Sequence, residues 1–456
     1  MVINAILTYL KYDVATTTRT VFEIPTKFPK ITICNFNMFT TEFSLELLKN
    51  LSKSKSKEGT NIFNRDEVKD IPYSQIIPKV SNIHKYAVSI VNSKNFSDDL
   101  RKKLGHTLKQ ILFNCKFDSI PCYPENFTWE FHPNYGNCFS FNSDLNSTVT
   151  KESKIAGPLN GLQLQLFVNV HENLSEFYYS YTENGIYTFN ALGAVILIDN
   201  STNMIDHNYN GGIKVASGFH TDISISRSFT FNLPKPYSNC DLDNNKNDYE
   251  SRSNEDLVYL FVNHSNHNMA YTQQSCIIQC YQFNTIKRCN CSHPFYASLF
   301  EDRVCESNNP KDVSCYQQSW IIFNKDENFI EKNCLPLCPL ECNQTYFEAK
   351  LTNLRLTGWN YYLNLINKYL SPLFISTQIS RDTAINSFVS LNIFYDSLSY
   401  TLISERPQID FISLLGNIGG NLGLFLGVSF FSLCELVVAF IEILCIKKII
   451  VPVIRL

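Results

Sequence analysis

Two acidic side chains stand inside the longest apolar stretch of this sequence. Glu435 and Glu442 belong to residues 410–446, where no charged residue occurs between positions 411 and 434. Such a stretch is long enough to cross a hydrocarbon core of roughly 30 Å, and acids inside a membrane are costly unless they face water or a partner. The pattern therefore predicts a membrane segment whose carboxylates face a water-filled path or another chain. A single anchor with polar ends is the plainer alternative.

Glycines recur in the same stretch at a spacing that lets helices pack closely. Three overlapping pairs lie four positions apart: Gly416/Gly420, Gly419/Gly423 and Gly423/Gly427. Small residues at this spacing allow helix backbones to approach one another inside a membrane. A receptor with one membrane anchor needs neither these glycines nor the two acids, so the stretch favours an assembly of helices.

Cysteines and glycosylation motifs place the preceding part of the chain outside the cell. Fourteen of the sixteen cysteines lie between Cys34 and Cys342, an even number that indicates seven disulfides formed in an oxidising compartment. The Asn-x-Ser/Thr motifs begin at Asn50, Asn95, Asn126, Asn146, Asn173, Asn200, Asn263, Asn290 and Asn343. With residues of about 30–400 outside, Lys447 and Lys448 fall on the cytoplasmic side, as the positive-inside tendency requires.

The cysteine spacing also predicts local structure. Cys276 and Cys280, and likewise Cys334, Cys338 and Cys342, recur every four residues, which would put each set on one helix face and allow two helices to be joined rung by rung. Zinc binding is the rival interpretation. It is disfavoured because zinc sites prefer C-x2-C pairs of reduced thiols.

The rest of this region reads as an antiparallel sheet with helical additions. Leucines at 100, 104, 108 and 112 have helical spacing, and a further helical patch is predicted near Trp359–Leu370. Short alternating segments predict strands. They are residues 28–39, 137–142, 161–170, 194–200, 212–219 and 224–233.

Composition excludes several classes of protein. The net charge of −3 and the lack of a basic run argue against a nucleic-acid partner. No nucleophile-elbow, zinc-protease, P-loop or dinucleotide motif occurs, so the sequence predicts neither an enzyme nor a cofactor. The alternative class is a single-pass, disulfide-rich cell-surface receptor.

The N-terminal decamer leaves two interpretations open. Residues 1–10 are apolar but too short to span a bilayer, and they lack the charged start and cleavage site of a signal peptide. They are either a poor signal peptide or the outer end of a transmembrane helix.

The chain resembles the degenerin, epithelial sodium channel and acid-sensing channel family, with the peptide-gated (FMRFamide-type) invertebrate members nearest in style. The segments that carry the resemblance are FPKITICN (28–35), YGNCFSFN (135–142), NGLQLQL (160–166), GIKVASGF through PYSNC (212–240), YTQQSC through CNC (271–291), CPLEC (338–342) and LLGNIGGNLGLFLGVSFFSLCEL (414–436). The resemblance implies an amiloride-sensitive sodium channel built as a homo- or heterotrimer in the plasma membrane.

The resemblance also implies the architecture. The fold class would be an α+β membrane protein with a large disulfide-rich extracellular domain at 13–409 between two transmembrane helices. The parts would be the outer end of the first helix at 1–12, palm strands at 25–45, 135–165, 205–235 and 345–405, a finger at 46–134, a β-ball at 165–205, a thumb at 240–342, a knuckle at 355–385, a pore helix at 410–446 and a tail at 447–456. The implied disulfides are Cys34–Cys138, Cys115–Cys122, Cys240–Cys342, Cys276–Cys338, Cys280–Cys334, Cys289–Cys315 and Cys291–Cys305.

Site residues follow from the same resemblance. Gly427, Val428 and Ser429 match the family's Gly-x-Ser selectivity filter, and oxygens from three copies would replace the hydration waters of a permeating Na⁺. Helix packing is the alternative role for these three residues. The pore and gate positions would be Asp410, Gly416, Asn417, Gly420, Gly423 and Glu435. No metal is implied beyond the permeant Na⁺.

Two tyrosines are implied to couple the thumb to the pore. Tyr12 matches the family's wrist tyrosine and Tyr237 the thumb aromatic that meets it, although tyrosines at a membrane interface serve equally as anchors. Asn417 replaces an aspartate of acid-sensing members, and Asp13-Val14 replaces a histidine pair. An extracellular peptide is therefore at least as good a candidate ligand as a proton, and a non-conducting channel-like subunit remains an alternative.

Overall fold

A computed structural model provides the coordinates of this chain. It describes residues 2–55, 73–143, 150–168, 192–200, 212–240, 271–298, 300, 302–366, 381–427, 431–432 and 434–442. Contacts within the chain define two compact units. The smaller unit comprises Met1–Arg19, Phe231–Cys240 and Ile403–Leu456, and the larger comprises Thr20–Thr230 and Asp241–Leu402.

The described residues form both α-helices and β-strands, in groups along the chain. The helices are α1 (Val2–Tyr9), α2 (Glu42–Lys55), α3 (Tyr73–Val91), α4 (Asp98–Leu104), α5 (Leu108–Ile111), α6 (Gln273–Cys289), α7 (Pro310–Lys325), α8 (Glu327–Asn333), α9 (Trp359–Leu365), α10 (Arg381–Asn386) and α11 (Phe411–Leu426). The strands are β1 (Val14–Phe22), β2 (Thr26–Lys27), β3 (Lys30–Asn35), β4 (Leu112–Phe117), β5 (Ile120–Pro121), β6 (Phe127–His132), β7 (Gly136–Phe141), β8 (Glu152–Ser153), β9 (Leu162–Phe167), β10 (Gly193–Asp199), β11 (Ile213–Ala216), β12 (Phe219–Phe231), β13 (Asn343–Arg355) and β14 (Phe388–Pro407).

The strands belong to two larger sheets and one short pair. A seven-stranded sheet has the order β13-β12-β14-β9-β4-β5, with β1 paired to β14, and a five-stranded sheet has the order β11-β10-β3-β7-β6. The registers between β3 and β7 and between β9 and β14 are antiparallel, as predicted from the alternating segments. β2 and β8 form the separate pair.

Period-two alternation explains how the larger unit builds its core. In β9 the three leucines Leu162, Leu164 and Leu166 are buried while the glutamines between them are only partly covered. Successive side chains of a strand point to opposite faces, so these leucines share one face. They join buried residues of both large sheets, including Ile33 of β3 and Ile225 of β12, in a single hydrophobic core.

The four leucines with helical spacing do not form one helix. Gly105 follows α4 in an extended conformation with φ −121° and ψ 164°, and Thr107 caps the separate helix α5. Leu112 already begins β4. The prediction was wrong because the leucines serve two cores: Leu104 packs among the helices around Leu48, and Leu112 packs against the sheet core.

The smaller unit contains α1, α11 and the chain segments next to them. α1 contacts α11. Thr17 of β1 donates a hydrogen bond to the Ser404 carbonyl at 3.1 Å, and the Gln408 N–H donates to the Asp13 carbonyl at 2.9 Å. Among the residues the structure describes, no helix is both long and apolar enough to span a membrane.

Candidate functional site

The predicted pore segment begins with a capped helix. The Asp410 carboxylate accepts a hydrogen bond from the Ser413 N–H at 2.6 Å and so satisfies one of the unpaired donors in the first turn of α11. A carboxylate is also favoured at this end of the helix macrodipole. Asp410 therefore has a structural reason to be acidic, and its role at the outer mouth of a pore stays a prediction.

The glycines of α11 face open space within this chain. A Cβ atom added to Gly416, Gly419 or Gly420 would meet no heavy atom of the described chain within 4 Å. Asn417 is exposed, and Leu414 is the only residue of α11 with a described side chain that is buried. Nothing in the described chain thus requires glycine at these positions, whereas close packing against another helix would.

α11 ends at the first residue of the predicted filter. Gly427 adopts φ +66° and ψ 16°, a left-handed conformation that side chains disfavour, and its N–H donates to the Gly423 carbonyl at 3.1 Å. The glycine is therefore required by the backbone. Val428 and Ser429 lie outside the described residues. The role of the three residues as a filter stays a prediction.

Helix resumes beyond the predicted filter. Residues 431–432 and 434–442 are helical, and Cys434, Glu435 and Glu442 are exposed there. Within the part of the chain that the structure describes, neither glutamate forms an ion pair. Cys434 is the one free cysteine among the described residues.

The two tyrosines assigned to gating lie in contact. Their ring centroids are 5.5 Å apart with an interplanar angle of 88°, an edge-to-face arrangement. Tyr12 follows α1 in a left-handed conformation, and its N–H donates to the Tyr9 carbonyl at 3.1 Å. Tyr237 is held in a turn by its N–H bond to the Pro234 carbonyl at 3.0 Å. The pair is thus fixed by turns on both sides, while its part in gating stays a prediction.

Six of the implied disulfides are present with the implied partners. They are Cys34–Cys138, Cys115–Cys122, Cys276–Cys338, Cys280–Cys334, Cys289–Cys315 and Cys291–Cys305. The remaining two cysteines of the set, Cys240 and Cys342, are also disulfide-bonded. The thiols that zinc would need are therefore oxidised, and no cluster able to hold a metal occurs among the described residues.

One prediction about these cysteines was wrong. Cys276 and Cys280 lie on α6, but Cys334 only caps the end of α8, and Cys338 and Cys342 lie beyond it. Pro336 and Pro339 explain the break, because proline lacks the N–H that a helix requires. The Cys338 N–H still bonds the Cys334 carbonyl at 2.9 Å, so one helical turn preserves the spacing of the two rungs.

Comparison with known proteins identifies the family. The family model described as amiloride-sensitive sodium channel matches residues 1–439. The chain belongs to the amiloride-sensitive sodium channel family. This is a family of ion channels and not of enzymes.

Curated relatives of this channel-family chain are subunits of the epithelial sodium channel. The gamma subunit of Xenopus laevis is 26% identical over 339 residues, which are 74% of this chain and 46% of the relative. The gamma subunit of Rattus norvegicus is 27% identical over 350 residues, 75% and 48% of the two chains. The alpha subunit of Mus musculus is 27% identical over 352 residues, 75% and 44%. The match spans about half the length of these relatives.

Two buried histidines of this chain are held neutral. Burial lowers the pKa of His293 to about 3, and burial followed by the charge of Lys85 lowers the pKa of His84 to about 3. Neither imidazole gains a proton at the mildly acidic pH that would activate a proton sensor. A proton-sensing role must therefore fall on other groups.

A charged pair stabilises the start of α7. Arg303 donates two hydrogen bonds to Asp312, at 2.7 and 3.1 Å. These bonds lower the pKa of the Asp312 carboxyl, which also accepts the Glu306 N–H. The carboxylate is therefore ionised throughout the physiological range and holds the loop before α7.

The glycosylation candidates that the structure describes are exposed. They are Asn50, Asn95, Asn126, Asn200, Asn290 and Asn343. Asn146, Asn173 and Asn263 lie outside the described residues. The side-chain oxygen of Asn126 accepts the Tyr123 N–H at 2.9 Å, which leaves its amide nitrogen open for attachment of a glycan.

Sequence reasoning missed a cavity between α6, α7 and α8. Tyr281, Arg288, Ser319 and Phe323 contribute to its lining. The available signal was the helical spacing of Tyr281, Thr285 and Arg288 on α6, which the cysteine pattern of the same helix overshadowed.

Proposed function

We propose that this chain is a subunit of an amiloride-sensitive, sodium-selective channel in the plasma membrane, which conducts Na⁺ passively. The family match over residues 1–439 carries the proposal, because it includes both the disulfide-rich region and the apolar segment. Residues 410–446 would cross the bilayer as the second transmembrane helix, and α1 would be the outer part of the first.

Three copies of α11 would surround the pore, in a homo- or heterotrimer. The open space beside Gly416 and Gly420 supports this arrangement, because neighbouring helices can approach the bare backbone there. Asp410 at the helix start would attract cations to the outer mouth. Asn417 would present a neutral amide in the outer pore.

Selectivity would arise where α11 ends. The left-handed turn at Gly427 interrupts the helix, and irregular backbone at membrane depth is tolerated where it lines a cavity. Carbonyls of Gly427 and Val428 with the Ser429 hydroxyl, repeated three times, would replace hydration waters of Na⁺. The exposed Glu435 would favour cations below this ring.

An extracellular ligand would open the channel through the Tyr12–Tyr237 contact. A displacement of one ring would move the other, because two rings in edge-to-face contact can move only by repacking against each other. Asn417 and Asp13-Val14, which replace titratable residues of acid-sensing members, support a peptide at least as well as a proton as that ligand, and the buried His84 and His293 supply no proton-sensing group.

Voltage clamp tests the proposal. The chain is expressed alone, with related subunits, and joined to a longer N-terminal segment of a relative, and is exposed to peptides, acid and amiloride. We expect an amiloride-blocked Na⁺ current, and we expect Ser429→Ala to reduce the preference for Na⁺ over K⁺ while Ser413→Ala leaves it unchanged.

The alternatives predict different results. A single-pass receptor would reach the surface as a monomer and give no current in any combination. A non-conducting subunit would assemble with relatives and alter their current, yet Ser429→Ala would leave selectivity unaffected. Either result would replace the proposal.

A further inference from the structure

A cavity of about 300 Å³ lies between α6, α7 and α8 in the larger unit. This volume is at the lower end of the range for small-molecule sites. The side chains that matter for a ligand are Tyr281, Lys287, Arg288, Ser319, Phe323 and Phe329. None of these residues belongs to the proposed pore or to the tyrosine contact.

Disulfides hold the walls of the cavity in place. Cys289 at the end of α6 is bonded to Cys315 of α7, and Cys280, one residue before Tyr281, is bonded to Cys334 after α8. These two bonds bracket the lining residues of α6. The cavity therefore exists before any ligand arrives, and a ligand would bind without the cost of ordering its site.

Aromatic rings form the inner wall. The Tyr281 ring lies 4.9 Å from the Phe323 ring between centroids, and the Phe323 ring lies 6.0 Å from the Phe329 ring. Tyr281 and Phe323 are buried. An apolar or aromatic group of a ligand would fit against this wall.

Two cations flank the cavity on the solvent side. Lys287 and Arg288 lie in the last turn of α6, both are exposed, and neither forms an ion pair with a described carboxylate. The Lys287 ammonium lies 4.1 Å from the centroid of the Phe283 ring, which fixes its position beside the helix. A guanidinium group binds a carboxylate through two parallel hydrogen bonds.

We propose that this cavity binds a small amphipathic carboxylate, with an aromatic or short acyl body against Tyr281 and Phe323 and its anionic head at Lys287 and Arg288. The geometry favours this class of ligand over an inorganic anion and over a neutral apolar molecule. An inorganic anion would leave the aromatic wall empty, and a neutral apolar molecule would leave both cations unused.

Ligand-observed NMR on the full chain in detergent tests the proposal without requiring a current. The probes are 3-phenylpropionate, its neutral amide and inorganic phosphate. We expect saturation transfer to the phenyl protons of the carboxylate with a dissociation constant of about 0.1–1 mM, which suits a ligand of this size. The amide and phosphate should each bind at least about tenfold more weakly.

Variants locate the site. Lys287→Gln/Arg288→Gln should weaken binding of the carboxylate about tenfold, whereas Lys311→Gln/Lys325→Gln, which removes two exposed lysines of α7 outside the lining, should not change it. Ile322→Trp, which fills the cavity, should abolish binding.

Equal binding of 3-phenylpropionate to the two double variants would overturn the proposal, as would equal binding of the carboxylate and the amide. If Ile322→Trp fails to fold, the comparison of the two double variants still tests the proposal. A chain that binds the probe but gives no current would retain this site and lose only the channel function.

Discussion

The helix pair α6–α7 and the helix α11 place their side chains in opposite environments. Tyr281 at the centre of α6 is 1% exposed, and its ring contacts the rings of four neighbours: His293, Tyr296, Trp320 and Phe323. Ile412 on α11 is 78% exposed. Yet α11 is the more apolar of the two helices. Hydrophobicity alone therefore does not decide what this chain buries by itself.

The difference teaches where each helix obtains its stability. Burial of an apolar side chain stabilises a protein only if something covers it. The α6–α7 pair is covered by its own chain and joined by the Cys289–Cys315 disulfide, so its core is buried within one subunit. An apolar helix with open glycines needs cover from elsewhere, and in the proposed channel lipid and two further subunits supply it.

The largest expected effect comes from cutting a covalent link of the α6–α7 region. Cys280→Ser/Cys334→Ser removes a buried bond that closes a separation of 54 residues. Loss of such a bond costs about 2–5 kcal/mol. We expect a lower thermal midpoint in detergent and strongly reduced delivery to the cell surface.

Cys434→Ser is the matched control for that variant. It removes the exposed free thiol from the region of α11 and should change neither measurement. If the control lowered the midpoint as much as the double variant, the contrast between the self-contained pair and the open helix would be wrong.

A substitution on α11 should affect assembly but not the single chain. A Cβ atom at Gly420 meets no heavy atom of the described chain within 4 Å, and Gly420 lies outside the larger unit, so Gly420→Leu should leave the thermal midpoint of the larger unit unchanged. Against a closely packed neighbour, the added atoms should cost about 1–3 kcal/mol, which is a loss of roughly 5- to 150-fold in assembly. Chemical crosslinking and current amplitude measure this loss.

Gly420→Ala should change assembly in opposite directions depending on whether α11 is unpacked or packed against other subunits. Alanine favours a helix by about 1 kcal/mol over glycine, so an unpacked α11 would gain from the change. In a packed pore the methyl group would instead reduce assembly. Higher assembly or current in Gly420→Ala would contradict the packing of three subunits around these glycines.

The sequence predicts best where one residue type satisfies a local rule. The alternation of LQLQL in β9 was readable because the physics acts within a few residues. The left-handed turn at Gly427 was not predicted, because the glycine spacing indicated only helix packing there. The disulfide partners came from family resemblance, since spacing alone leaves many pairings open.

Errors arose where a distant neighbour determined the structure. The periodic leucines predicted one helix through Leu112. Leu112 is instead the first residue of β4 and packs against the sheet core. The cavity beside Tyr281 was missed for the same reason: the spacing of Tyr281, Thr285 and Arg288 marks one face of α6 but does not indicate that α7 and α8 lie next to it. Periodicity reports one face of an element and not what covers it.

A smaller effect is expected from the acid sensitivity of the α6–α7 region. Unfolded histidine gains a proton near pH 6.5, whereas burial keeps the pKa of native His293 at about 3. As the pH falls from 6.5, the unfolded state binds a proton that the native state does not, so stability decreases. The contribution of one histidine is at most about 1.4 kcal/mol per pH unit.

His293→Gln should flatten this dependence in thermal midpoints measured from pH 4.5 to 8. Phe295→Leu alters the same cluster without a titratable group, so it should lower the midpoint and keep the slope. Residual slope is expected from His84, whose pKa is lowered in the same direction. An unchanged slope in His293→Gln would show that the pKa of this imidazole is the same in the native and the unfolded protein.

The smallest effect concerns the contact between Tyr12 and Tyr237 in the smaller unit. An edge-to-face pair contributes about 0.5–1.5 kcal/mol beyond its buried area. We expect a double-mutant cycle with Tyr12→Leu and Tyr237→Leu to give a coupling of that size in the half-activating concentration of whichever stimulus opens the channel. A cycle with Tyr12→Leu and Tyr123→Leu should give none, because Tyr123 lies in the larger unit and is 62% exposed. Zero coupling in the first cycle would mean that the two rings only anchor their own segments. A measurable coupling would instead show that the contact between these two rings contributes to the gating equilibrium.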